Sequence, residues 1–131
     1  MIALDTNVLV RFLVADEPRQ AREAQRVVDT ARSAGEPIYL SPIVLCEFVW
    51  VLAGAYEATK RDIVWALNSL ADDPTFLCDD RNRVRRAIDR YSAGAADFSD
   101  YLLGSVSQDA GASVTYTFDR ALRDEPGFAL L

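Results

Sequence analysis

Apolar residues recur along this chain at two spacings, and the switches between them mark its elements. Ile2 to Leu4 is a short apolar run of the kind carried by a strand covered on both faces. From Val8 to Val14 apolar positions continue at helix length, so Asp5 falls at the hinge between a first strand and a first helix, with Thr6 and Asn7 turning the chain. In open α/β sheets ligands gather outside the carboxyl ends of the strands, which puts Asp5 on a functional edge. Capping of the helix by Asp5 or Thr6 is the purely structural alternative.

Asp16-Glu17-Pro18 reads as a helix start, followed by Ala21, Ala24, Val28 and Ala31 at helical spacing, and Gly35 as its stop. Ile38 to Leu40 suits a second strand, and Ser41-Pro42 opens another helix by cap and first-turn proline. That helix, Ile43 to about Ala55, is apolar nearly all round, so it is expected to be buried on more than one side. Glu47 interrupts it, and a carboxylate buried there would carry a desolvation cost unless it faced a cation, a metal or a cleft, or paired with a buried arginine. Thr59 with Asp62 starts a helix bearing Ile63, Leu67 and Leu70, which Asp72-Asp73-Pro74 ends.

Thr75 to Cys78 forms a brief strand, and Asp79-Asp80 begins a helix with Val84, Ile88 and Tyr91 on one side. Its opposite side is basic: Arg81, Arg85 and Arg86 are candidates for steering an acidic polymer, with a solvated face as the plain alternative. Gly94 closes this helix, and Ala95 to Asp100 opens the next, on which Tyr101, Leu102, Leu103 and Val106 follow. Asp97 and Asp100 are three apart and project to one side if both lie at the first turn, with Ser99 a further candidate cap. After Gly111, Ser113 to Phe118 reads as a strand delivering Asp119 at its end, as the first strand delivers Asp5. Glu125-Pro126-Gly127 is a turn before a short last strand, Phe128 to Leu131.

Composition narrows the chemistry. At 131 residues, half of them hydrophobic, the chain fits one soluble domain (1–131) without linker or repeat. The apolar stretch from Ile43 to Ala53 is too short to span a bilayer and no signal sequence is visible, which favours the cytoplasm. Cys46 and Cys78 lack metal-type spacing and read as reduced thiols in apolar surroundings. The chain has no histidine, which removes the usual general base and the commonest transition-metal ligand. Catalysis would have to run on carboxylates. A net charge of −6 argues against binding nucleic acid through a wholesale basic patch. Lys60 is the only lysine; arginines supply the remaining cations and suit bidentate phosphate contacts.

Two strands end in aspartates, and two helices carry acids where apolar residues or simple caps were expected. A metal site explains this economically, because carboxylates converging on one cleft repel one another unless Mg²⁺ or Mn²⁺ neutralises them. The implied reaction class is phosphoryl chemistry on a metal-activated water.

Leu4-Asp5-Thr6-Asn7-Val8-Leu9, Glu47 after the second strand, Ala96-Asp97-Phe98-Ser99-Asp100-Tyr101-Leu102-Leu103, and Thr117-Phe118-Asp119 together resemble a PIN domain and, more narrowly, the VapC toxins of bacterial toxin–antitoxin pairs. The resemblance covers the whole chain. It implies a three-layer α/β/α sandwich around a mostly parallel sheet, metal-dependent cleavage of RNA, a homodimer, and inhibition by a small antitoxin. The four acids of the family fall on Asp5, Glu47, Asp100 and Asp119, which are expected to come together. Thr6 matches the position whose hydroxyl supports the site, Asn7 completes the opening motif, and Asp97 is an auxiliary acid.

Two other readings compete. A haloacid-dehalogenase-like phosphatase needs a second aspartate two residues after the first, where this chain has Asn7. A catalytically silent interaction module would use the same acids only as helix caps. Self-association is expected through the helix around Val44, Phe48, Val49, Val51 and Leu52, whose apolar surface exceeds what one sheet face covers.

Overall fold

The computed structural model describes residues 1–131. Five short strands and six α-helices alternate along the chain, and every strand pair is parallel, so the protein is α/β with parallel sheet. Its contacts cluster into two compact units, Met1–Arg81 and Asn82–Leu131.

In the first unit β1 (Ile2–Ala3), β2 (Ile38–Tyr39) and β3 (Phe76–Leu77) pair in the order β1-β2-β3, with Ile2 opposite Ile38 and Ile38 opposite Phe76. Each crossover is helical, because a parallel neighbour can be reached only by a long return. α1 (Thr6–Val14) and α2 (Pro18–Ala34) link β1 to β2, while α3 (Pro42–Gly54) and α4 (Lys60–Asp72) link β2 to β3. Boundaries follow the residues that set them. Ser41 Oγ accepts from Val44 N–H with Pro42 in the first turn, Thr59 caps α4 through Asp62 N–H, and Gly35 ends α2 in the left-handed region at φ 63°. Leu9, Val28, Ile38, Leu45, Phe48 and Leu67 are buried, and Phe12 packs its ring 5.9 Å from that of Phe76.

The second unit holds most of α5 (Arg81–Ala93), then α6 (Phe98–Asp109), β4 (Thr115–Thr117), a 3₁₀ turn at Arg120–Leu122 and β5 (Phe128–Leu130), with β4 and β5 paired in parallel. Its interior is aromatic: Tyr91 meets Phe98 edge-on at 6.0 Å, and Tyr101 OH accepts from Ala96 N–H. Gly104 is needed on α6 because a Cβ there would stand 2.6 Å from the Phe128 ring.

Two expectations need correction here. α3 is not buried all round: Leu45, Phe48, Val49 and Leu52 are inside, but Ile43 is 69% and Trp50 53% exposed. Phe48, Val49 and Leu52 are buried within the chain. Asp97, not Ser99, is the N-cap of α6, with Ser99 inside the first turn. Cys46 and Cys78 are both unbridged; Cys78 is buried, and burial raises its thiol pKa, with Asp79 adding to the shift and Arg81 opposing it.

Candidate active site

Each unit carries one group of the acids. In the first, β1 ends at Ala3 and the chain turns through Leu4 and Asp5, whose extended backbone makes Asp5 the N-cap of α1. Its Oδ1 accepts from Val8 N–H at 3.0 Å, so the capping role is real, and one oxygen of the carboxylate is committed to it. The next residue is buried, and Thr6 Oγ1 donates to Glu47 Oε2 at 3.3 Å. That bond ties the start of α1 to the middle of α3 and brings the Asp5-Thr6 turn and Glu47 together. Glu47 itself is exposed, in line with Ile43 and Trp50 on the outer stripe of α3. The desolvation argument thus does not apply to it, and no arginine pairs with it; what Thr6 supplies is orientation.

Beside Asp5, a cleft of about 370 Å³ is lined by Asn7, Val8, Arg11, Gln20, Glu23 and others of α1 and α2. Arg11 braces it, with Nε donating to Gln20 Oε1 at 2.7 Å and Nη1 donating to Asp16 at 3.2 Å and to Tyr56 OH at 3.0 Å. Tyr56 OH donates in turn to Asp16 Oδ2. Sequence reading missed this brace, since partners as far apart as Arg11 and Tyr56 leave no periodic signal.

In the second unit Asp97 and Asp100 open α6 and Asp119 follows β4. Asp97 N–H donates to Asp100 Oδ2 at 3.2 Å, and Asp100 N–H donates to the Asp97 carbonyl at 3.0 Å, so the two are locked in one register. Asp119 repeats the design of Asp5: its Oδ1 accepts from Ala121 N–H at 2.9 Å and caps the 3₁₀ turn. The carboxyl pKa of Asp100 is raised, first by burial and then by the negative charges of Asp97 and Asp119, against the opposing bond from Asp97 N–H. Asp97, Asp100 and Asp119 are thus electrostatic neighbours.

The arginines divide. Arg81 donates to the carbonyls of Ala71 and Phe76, the latter at 2.8 Å, so its guanidinium is turned inward to close the end of α4 and β3. Arg86 is half exposed and 3.8 Å from Asp109, which also takes Arg83 at 2.6 Å. Arg85 lies on the same helix, half-buried.

The family profile described as PIN domain matches residues 2–126, a span that contains every one of these acids. The chain belongs to the PIN-domain family. Membership sets aside the dehalogenase-like alternative, whose second aspartate is missing here. A protein described as "VapC ribonuclease" from Aquifex aeolicus (strain VF5) is 25% identical over 123 residues, covering 94% of this chain and 90% of that protein. No solved structure matches the chain significantly.

The acids of each unit are oxygen donors of the kind a hard divalent cation takes. In the second unit burial and then the charges of Asp97 and Asp119 raise the Asp100 pKa, a cost that a cation would relieve. The side chains do not form a ready cage of three or more ligands. Mg²⁺ ordinarily takes one or two carboxylates and completes its shell with water and phosphate, so a cage is not required.

Proposed function

We propose that this PIN-domain chain is the toxin of a bacterial toxin–antitoxin pair, a VapC-type endoribonuclease that hydrolyses RNA phosphodiester bonds with Mg²⁺ or Mn²⁺. Residues 1–131 act as one catalytic domain in this reading. The observation that carries it is the family match over residues 2–126 with all four acids present. Likeness to a ribonuclease by description adds the substrate class.

Asp5, Glu47, Asp100 and Asp119 are the carboxylates that serve the reaction, with Asp97 auxiliary. Asp5 and Asp119 each cap a helix with one oxygen and keep the other for a ligand. Thr6 holds Glu47 in a fixed rotamer by its hydroxyl, and Asn7 extends the opening turn. Asp100 is the primary ligand of its pair, because burial gives its carboxylate the most to gain from a cation. A bound divalent ion supplies an activated water and neutralises charge that develops on the phosphate. Arg85 and Arg86 draw the RNA towards the protein; Arg81 does not, its donors being engaged.

The toxin works in the cytoplasm as a homodimer restrained by a small antitoxin. No helix is long and apolar enough to cross a membrane. The test is incubation of purified, antitoxin-free protein with total RNA in Mg²⁺ and in EDTA. Discrete cleavage only with Mg²⁺ is expected; RNA left intact in both lanes overturns the reading.

A further inference from the structure

We propose that Tyr116 and Phe118 form a stacking platform for two successive unpaired bases of single-stranded RNA, with Arg120 and Arg123 holding its phosphates. This rests on the nuclease reading for its choice of ligand and names the surface that grips the substrate. Thr115 and Thr117 of β4 are half-buried, while Tyr116 between them is 65% exposed and Phe118, the residue after the strand, is 82% exposed. The usual arrangement, aromatic inward and threonine outward, is inverted. Two large rings held open to water, one in the strand and one just after it, are apolar surface without an internal reason.

Their spacing suits bases. Alternate residues of extended chain are about 6.6 Å apart, a step comparable to that of one extended nucleotide, and burial alternates from Thr115 to Phe118, so each of the two exposed rings can take a base. The strand end is fixed: Asp119 N–H donates to Thr117 Oγ1 at 3.0 Å, and Leu131 N–H donates to the Thr117 carbonyl at 2.9 Å. The rings are therefore presented on a rigid backbone, and Phe118 directly precedes the acid Asp119.

Charge selects the occupant. Arg120 and Arg123 are exposed just beyond the rings, and neither guanidinium is taken by an ion pair, whereas Arg83, Arg86 and Arg90 of the same unit are all paired with acids. Open arginines that follow open aromatics within a few residues fit phosphate and base together. Beside Asp97, Asp100 and Asp119 a polyanion is repelled, and stacking on the neutral bases gives hold that charge alone cannot.

The experiment uses the full chain with Ca²⁺ in place of Mg²⁺ and a ten-nucleotide single-stranded RNA carrying 2-aminopurine at one position at a time. Quenching is expected at two adjacent positions. Tyr116→Ala and Phe118→Ala should each abolish one of these quenches and weaken binding about tenfold, while Phe118→Trp retains both. Circular dichroism checks folding, which exposed side chains should not disturb. Mg²⁺ is then supplied in place of Ca²⁺: RNA that is bound and quenched in Ca²⁺ but never cut in Mg²⁺ supports the platform and overturns the nuclease reading alone. RNA cut normally, with affinity and quenching unchanged in both alanine variants, overturns the platform alone. Absence of RNA binding by the unsubstituted chain overturns the platform, as do alanine variants that turn a dimer into a monomer in light scattering, since the face is then a contact between copies.

Discussion

Asp100 is the residue at which stability and function pull apart. Burial, then Asp97 and Asp119, raise its carboxyl pKa, so the folded chain holds this proton more tightly than the unfolded chain does. Its contribution is complete below the ordinary carboxylate pKa and is lost as pH rises through the raised value; at neutral pH the ionised group opposes folding. Asp100→Asn removes that opposition and keeps an oxygen to accept from Asp97 N–H. In EDTA at neutral pH the variant should melt above the unsubstituted protein, and the gap should close as pH falls to about 4. The same change should abolish cleavage, because the charge that holds a hard cation is gone. Asp97→Asn, at an exposed cap where asparagine serves equally well, should weaken metal affinity and leave turnover at high Mg²⁺. Cleavage rate against Mg²⁺ concentration decides between them; a dead Asp97→Asn beside an active Asp100→Asn reverses the assignment.

At the scale of elements, the basic helix α5 separates a structural arginine from steering ones. Arg81 satisfies the carbonyls of Ala71 and Phe76, so Arg81→Gln should lower stability by about 1–3 kcal/mol, read as a fall in Tm. Arg86→Gln loses only a long, half-exposed ion pair, and should leave Tm nearly unchanged while weakening RNA binding at low salt. Sequence did not reveal this difference, because nothing in the spacing of the arginines says that only Arg81 sits where α4 and β3 end. The elements themselves were legible through their caps: Ser41-Pro42, Thr59, Gly35 and the Asp72-Asp73-Pro74 break lie where α2, α3 and α4 begin or end. Strands were read longer than their ladders, since apolar runs extend past the two or three residues that pair. Glu47 was placed in the right helix for an incorrect reason. Apolar periodicity made α3 seem enclosed, and periodicity cannot say that Ile43 and Trp50 stay in water.

For the molecule as a whole, the apolar stripe of α3 bears on regulation more than on assembly. Phe48, Val49 and Leu52 are buried, which leaves Ile43 and Trp50 exposed on either side of Glu47. A second copy closing over that stripe would cover Glu47 and silence it, so an active dimer has to use other surface. An inhibitor has the opposite requirement: seated on Ile43 and Trp50, it shields Glu47 and can set a basic side chain against it. On the proposed toxin reading, Trp50→Asp should therefore release the chain from an antitoxin while leaving the RNA cleavage rate of the free protein unchanged. The loss should reach at least tenfold in affinity, as for an aromatic anchor at the centre of an interface. Titration of cleavage with antitoxin measures the release, and light scattering should give Trp50→Asp the same mass as the unsubstituted chain. A variant that is inhibited normally but has become a monomer assigns the stripe to self-association, and Glu47 then lies inside the dimer contact rather than in an active site.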